Sequence, residues 1–261
     1  MTVPDAGALA GARRLRMRLA LIPLFGLAAC AGKATPPVPV PGARQLVVVR
    51  TADWDATTGW LQRYERTAER PWAAVGDSIP VVVGRTGLAW GRGVRVAPER
   101  GEPVKREGDG KAPAGEFQLG AAFGYAPPDS VRWLKLAYIQ ATPALQCVDD
   151  PASPHYNELR FRPADGPPPW ASAEDMRRPD DAYQWGVMVE HNSGWQREAG
   201  AGSCIFLHVW SGPTSPTVGC TAMDADRLVE VMRWLDWVRT PVLVQLPSPV
   251  YDRLRTDWEL P

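Results

Sequence analysis

Ser203–Trp210 reads SCIFLHVW, Pro216–Met223 reads PTVGCTAM, and Asp224–Val238 reads DADRLVEVMRWLDWV. The first run is an apolar strand from Cys204 to Trp210, with His208 near its end. Eleven residues, including two Pro and two Gly, separate His208 from Cys220. The third run carries Leu228, Val231, Met232, Leu235 and Val238 at helical spacing, with Asp224 as its expected N-cap. A thiol just ahead of that helix would feel its positive end, which favours thiolate. Gly219 lets the backbone turn sharply and leaves room for a carbonyl to approach. Backbone N–H groups around Cys220 are candidates for an oxyanion hole. A strand–loop–helix hairpin can bring His208 within reach of Cys220, as base and nucleophile.

Working outward, Trp185–Glu190 (WGVMVE), Thr240–Leu246 (TPVLVQL) and Gln45–Arg50 (QLVVVR) also read as strands. Ile79–Val83, Gly87–Trp90, Gly93–Val96 and Glu116–Leu119 read as short strands split by Gly. Gly59–Ala68 is expected as a short helix. Residues 97–115 are expected as an exposed loop, and residues 125–182 as a long loop-rich segment of the kind that forms lids and binding loops. Gly108–Gly115 lacks a GKS/T motif and is expected as a hairpin loop, not a phosphate cradle. The expected fold is mainly β, a small sheet or sandwich with one late helix following Cys220.

Arg13, Arg14, Arg16 and Arg18 precede a short apolar run, Leu19–Ala28, which ends in Leu27-Ala28-Ala29-Cys30. The run is too short to span a bilayer, where about 20 apolar residues are needed. It reads as a secretory signal over residues 1–29. Its end resembles a lipobox, which makes Cys30 the expected lipidated N-terminus and the membrane anchor. Residues 30–43 then form a Pro-rich spacer, and residues 44–261 one domain. The 261-residue chain is 45% apolar, enough for one sizeable core. Of 29 basic and 29 acidic residues, the first 29 positions hold four Arg and one Asp, leaving 25 against 28. A net charge of −3 there is no nucleic-acid footprint. The twelve Trp are expected mostly as packing residues.

Cys147 and Cys204 are equally readable as a disulfide or as buried thiols. No CxxC pair and no HExxH motif occurs, so neither a metal site nor any cofactor is expected; a metal peptidase built on His191, His208 and Asp149 is the weakest reading. His155 reads as a loop residue and His191 as structural. Asp149, Asp150, Tyr156 and Asn157 read as turn-stabilising residues, with pocket shaping as the alternative.

The order of motifs resembles the L,D-transpeptidase catalytic domain (YkuD-like, ErfK/YbiS-type). His208, Thr217, Gly219 and Cys220 match its His…Ser/Thr-His-Gly-Cys signature, with Val218 in place of the second His, as in a related branch with a small or apolar residue there. Gly108–Phe117 (GDGKAPAGEF), Cys147–Pro151 (CVDDP), Tyr156-Asn157 and Gly202–His208 extend the resemblance over most of residues 45–246. Where the family commonly has Arg or Asn shortly after the Cys, Thr221-Ala222-Met223 stands here. The resemblance implies a β-sandwich-like fold in which Cys220 attacks an amide of peptidoglycan stem peptides. His208 takes the thiol proton, and the backbone carbonyl of Val209 orients the imidazole. An amine or water resolves the acyl-enzyme, so a carboxypeptidase or amidase is the alternative, and a non-catalytic wall-binding lipoprotein a further one. Thr217, Asp149, Asp150, Tyr156, Asn157 and Trp210 are the expected substrate contacts. The expected location is the periplasm, with Ala31 after Cys30 leaning towards the outer membrane.

Overall fold

The computed structural model describes residues 42–261, so Cys30, the signal segment and the Pro-rich run Pro36–Pro41 lie outside the described residues. The chain is mainly β. β1 (Gln45–Thr51) pairs antiparallel with β2 (Thr58–Glu65) and parallel with β13 (Pro241–Pro247). β1 and β13 are buried along almost their whole length, which explains their unbroken VVV and VLV runs: one face fills the interior and α2 (Ser248–Leu254) packs near the pair.

β2 continues to β3 (Ala73–Val82), which meets β12 (Thr221–Met223). β12 lies parallel to β11 (Phe206–Val209), and β11 antiparallel to β10 (Trp185–Val189). On the other side β13 pairs with β5 (Ala112–Gly124), and β5 pairs with β10. The path β10-β11-β12-β3-β2-β1-β13-β5 therefore returns to β10 and closes an eight-stranded mixed barrel. Two stacked layers were expected; the 13-residue β5 closes the sheet instead, because it serves β13 with its first half and β10 with its second. Closure leaves no exposed edges among these strands to attract further pairing. The short strands β4 (Leu88–Trp90) and β6 (Tyr138–Gln140) add to β5.

A separate three-stranded sheet is built from β7 (Leu145–Val148), β8 (Leu159–Phe161) and β9 (Ala173–Asp175), in the order β8-β7-β9. Its apolar side does not join the barrel core. It closes a second cluster formed by Phe123, Leu145, Met176, Tyr183, Phe206 and Cys220 with their neighbours. At Gly186 a Cβ would stand 2.2 Å from the Phe123 ring, so only glycine admits that aromatic side chain against β10.

Several local expectations are corrected. Gly59–Ala68 is not helical: its residues up to Glu65 belong to β2, held by ladders to β1 and β3. Trp60 and Tyr64 fit a helical spacing as well as an alternating one, and strand partners decided between them. Gly93–Val96 forms no strand, only a bridge from Arg95 to Glu116. Ala112–Gly115 is not exposed loop but buried strand, and Glu116–Leu119 is the middle of β5. The segment 125–182 contains β6 and the whole small sheet. The late helix α1 spans Ala225–Trp234 with Asp224 as N-cap, accepting from Asp226 N. It stops before Val238 because Leu235 turns extended and Asp236 caps a separate turn, accepting from Val238 N at 3.2 Å. Among the described residues no helix is long and apolar enough to cross a membrane.

Candidate functional site

Cys220 sits immediately before β12, at the end of the 211–220 loop. The loop is clipped to the end of β3 by Thr217 N donating to Val83 O (2.9 Å) and Arg85 N donating to Thr217 O (2.7 Å). Thr217 Oγ1 then donates to Cys220 O at 2.6 Å and accepts from Gly219 N at 3.1 Å. Thr217 thus shapes the turn that presents the thiol, and its acceptance of the Gly219 N–H removes that donor from the expected oxyanion hole.

The helix-dipole expectation is overturned. Thr221–Met223 is a strand, so Cys220 does not stand at the N-terminus of α1. The residue is 4% exposed and its thiol is free of disulfide. Sγ accepts from Phe206 N at 3.3 Å and lies 3.5 Å from Cys204 O. Burial, followed by the negative charge of Glu174, pushes the thiol up to about 12. The Phe206 N–H and the charges of Lys105 and Arg178 oppose that shift without cancelling it. At neutral pH Cys220 is a protonated thiol.

His208 lies on β11, 8% exposed, with Nδ1 2.8 Å from Val209 O. That contact favours a ring proton on Nδ1, and the Ala182 carbonyl is a second backbone acceptor beside the ring. The Tyr183 ring stands edge-on to the imidazole, centroids 5.2 Å apart, and also edge-on to Phe206. Burial lowers the imidazole to about 4, against the pull of the Val209 carbonyl. His208 is therefore neutral at pH 7.

The parallel register sets His208 opposite Ala222, so Cys220, two residues earlier, is its diagonal neighbour. Phe206 and His208, two residues apart on β11, both meet the Tyr183 ring, and Cys220 packs in the same cluster as Tyr183 and Phe206. No hydrogen bond joins Cys220 to His208 among the described residues.

A cavity of ≈350 Å³ is lined by Cys220, Gly219, Val218, Ser203, Asp149 and Glu174 among others. Of the residues singled out by sequence, Cys220, Gly219 and Asp149 meet here. His208, Val209 and Trp210 do not line this cavity; the Trp210 backbone N–H donates to Met223 O at 2.9 Å. Asp150 caps its loop, accepting from Ala152 N (2.9 Å) and Ala171 N (2.8 Å). Tyr156 donates to the Glu107 carboxylate. Asn157 donates to His191 O and Asn192 O and accepts from Cys204 N at 2.8 Å. These three side chains are spent on holding the wall around the cavity rather than facing into it.

Cys147 and Cys204 form a disulfide that ties β7 to the residue preceding β11's approach to the site. Cys204 takes a left-handed backbone (φ 55°), rare for a side chain of its kind, and Asn157 accepts its N–H in that conformation. His191 is fully engaged, accepting at Nδ1 from Arg92 N and meeting Ala201 O at Nε2. His191, His208 and Asp149 do not assemble into a metal-ligating group among the described residues.

Glu174, Tyr183 and Lys105 escaped sequence reasoning. Glu174 lies on a three-residue strand without periodic signal, and Tyr183 reads as one more loop aromatic. Lys105 is nine-tenths buried, its Nζ held by Asp109 at 2.6 Å and by Arg106 O; the spacing of four to Asp109 was its only trace in the sequence. No protein-family model, curated protein or solved structure matches the chain.

Proposed function

We propose that the protein is a cysteine-dependent acyltransferase of L,D-transpeptidase type, acting on peptidoglycan stem peptides from a lipid anchor on Cys30. The observation that carries this reading is a free cysteine lining a cavity walled in part by charged residues, diagonal across parallel strands from an imidazole whose Nδ1 faces a backbone carbonyl.

The electrostatics favour a neutral pair over a preformed thiolate–imidazolium. In this reading Sγ attacks the substrate carbonyl carbon as its proton passes to Nε2 of His208, which swings onto the thiol when peptide fills the cavity. The amide nitrogen leaves with that proton, giving a thioester on Cys220 and neutral imidazole. An acceptor amine, or water, then attacks the thioester; His208 takes its proton and returns it to sulfur. The amine forms a crosslink and water trims the peptide. The Cys147–Cys204 disulfide fits an oxidising compartment such as the periplasm, to which the signal segment points.

A non-catalytic wall-binding role has one observation in its favour, the absence of a thiol–imidazole hydrogen bond. Muropeptide profiling separates the readings. Wild-type protein incubated with isolated cell-wall sacculi is expected to yield new crosslinked or shortened stems, and Cys220→Ala none. Identical profiles from the two proteins would sink the enzymatic reading.

A further inference from the structure

Three cysteines share the second cluster in two chemical states: Cys147 and Cys204 are joined, and Cys220 is free. The free sulfur meets the bonded pair through backbone, with Sγ of Cys220 3.5 Å from Cys204 O. Cys204 and Cys220 both line the cavity.

At its other end the disulfide grips the middle strand of the small sheet. Cys147 on β7 stands opposite Leu159 on β8 and Glu174 on β9. Glu174 lines the cavity, and so does Asp149, two residues beyond Cys147. After burial itself, the charge of Glu174 bears most heavily on the Cys220 thiol. Leu145 on β7 and Met176, just past β9, belong to the cluster in which the thiol is buried. One bond thus ties the element that covers and charges Cys220 to the backbone that touches its sulfur.

The other side-chain ties between these parts are hydrogen bonds. Asn157 accepts from Cys204 N and donates to His191 O and Asn192 O, and Tyr183 donates to Glu174. Cys204 holds a left-handed backbone (φ 55°), which an L side chain rarely adopts unless its surroundings impose it. The disulfide is one of its holds and Asn157 the other.

We propose that the Cys147–Cys204 disulfide is a redox latch on Cys220: oxidised, it keeps the thiol covered; reduced, it releases the small sheet and opens the thiol to solvent and reagents. The latch goes beyond the enzymatic reading and holds for any use of the thiol. A dithiol supplies the two electrons. One of its thiolates attacks the Cys204 sulfur, and Cys147 leaves as a thiolate and takes a proton. The second dithiol sulfur then displaces Cys204, which takes the other proton, and the dithiol ends as a cyclic disulfide. With the cover loosened, water reaches Cys220 and the Glu174 charge moves off, so the thiolate forms more easily.

Reactivity of Cys220 in the purified chain tests this. Wild type is treated with dithiothreitol under native conditions, freed of it by anaerobic gel filtration, and alkylated with neutral iodoacetamide at pH 8. Peptide mapping by mass spectrometry reads each cysteine separately. Cys220 is expected to react about tenfold or more faster than in the oxidised chain, with the far-ultraviolet dichroism of the barrel retained. Cys147→Ser/Cys204→Ser, which lacks the bond, should match the reduced rate without any reductant. Equal Cys220 rates in the oxidised and reduced chains overturn the latch, because hydrogen bonds then hold the cover alone. So does a disulfide that dithiothreitol leaves intact in the folded protein, and so does a rate gain that comes only with loss of the far-ultraviolet signal. If the double variant does not fold, the reduced wild type decides.

Discussion

The barrel core and the cluster beneath the small sheet are both buried, yet they are built differently. The barrel core is mainly aliphatic, drawn from β1, β5, β13 and α1, and its walls are continuous backbone ladders. The second cluster is aromatic and sulfur-rich: Phe123, Tyr183 and Phe206 meet edge to face beside Cys147, Cys204, Cys220 and Met176. Its outer wall is three short strands fastened by a disulfide and by the side chains of Asn157, Tyr156 and Gln146. The barrel supplies rigidity, and at Cys204 and Cys220 the sulfur-rich cluster borders a cavity walled also by Lys105, Glu107, Asp149 and Glu174. The proposed chemistry sits where closure depends on side chains.

The largest expected effect concerns the thiol itself. With its pKa raised to about 12, the thiolate fraction of Cys220 should climb about tenfold per pH unit from pH 7 to 10. Alkylation by the neutral reagent iodoacetamide, followed by mass spectrometry, should show that slope without a plateau. A plateau at neutral pH would mean that an ion pair with His208 already exists and that the cluster is more polar than its packing indicates.

The next comparison is between the two walls. Leu246→Ala removes a fully buried side chain from β13, and large-to-small changes of this kind cost about 2–5 kcal/mol. Urea melts followed by near- and far-ultraviolet dichroism should both shift. Replacing Cys147 and Cys204 by Ser releases the small sheet instead, at a cost of typically 2–4 kcal/mol. Here limited proteolysis should open residues 141–182 while the barrel's far-ultraviolet signal persists. Simultaneous loss of both signals would mean that the two regions unfold as one.

This division was partly legible in the sequence. Strands of the barrel announced themselves as apolar runs, since burial leaves little room for polar residues: QLVVVR and TPVLVQL, buried along almost their whole length, and the partly buried WGVMVE were each placed within a residue or two. The late helix and its Asp224 cap followed from spacing and from the side chain's competence as an acceptor. Closure was not legible, since nothing local in β5 tells which strands its two halves will find. The small sheet was missed because its strands are three and four residues long among Pro and Asp. Cys220 and His208 drew attention through residue type, but the thiol's electrostatics were read with the wrong sign. Sequence proximity to a helix suggested a dipole, whereas three intervening strand residues and tight packing put burial in control.

The smallest effect isolates one hydroxyl. Tyr183 touches both halves of the site: its ring packs on His208 and Phe206, and its OH donates to Glu174 at 2.6 Å. Tyr183→Phe keeps the ring and removes the donor, so the edge-on contacts survive while Glu174 loses its best hydrogen bond. The stability loss should be about 1–3 kcal/mol, because a half-buried carboxylate is left underpaired. The same change makes Glu174 harder to ionise, since a donor that favoured the charged form is gone. A less charged Glu174 bears less heavily on the thiol, so Cys220 should alkylate somewhat faster at a given pH even as the fold weakens. Loss of stability and gain of reactivity in one variant is an outcome that simple loosening of the barrel would not reproduce, provided the increase persists well below the melting temperature. If reactivity falls instead, the hydroxyl is acting on His208 through the ring rather than on Cys220 through the carboxylate.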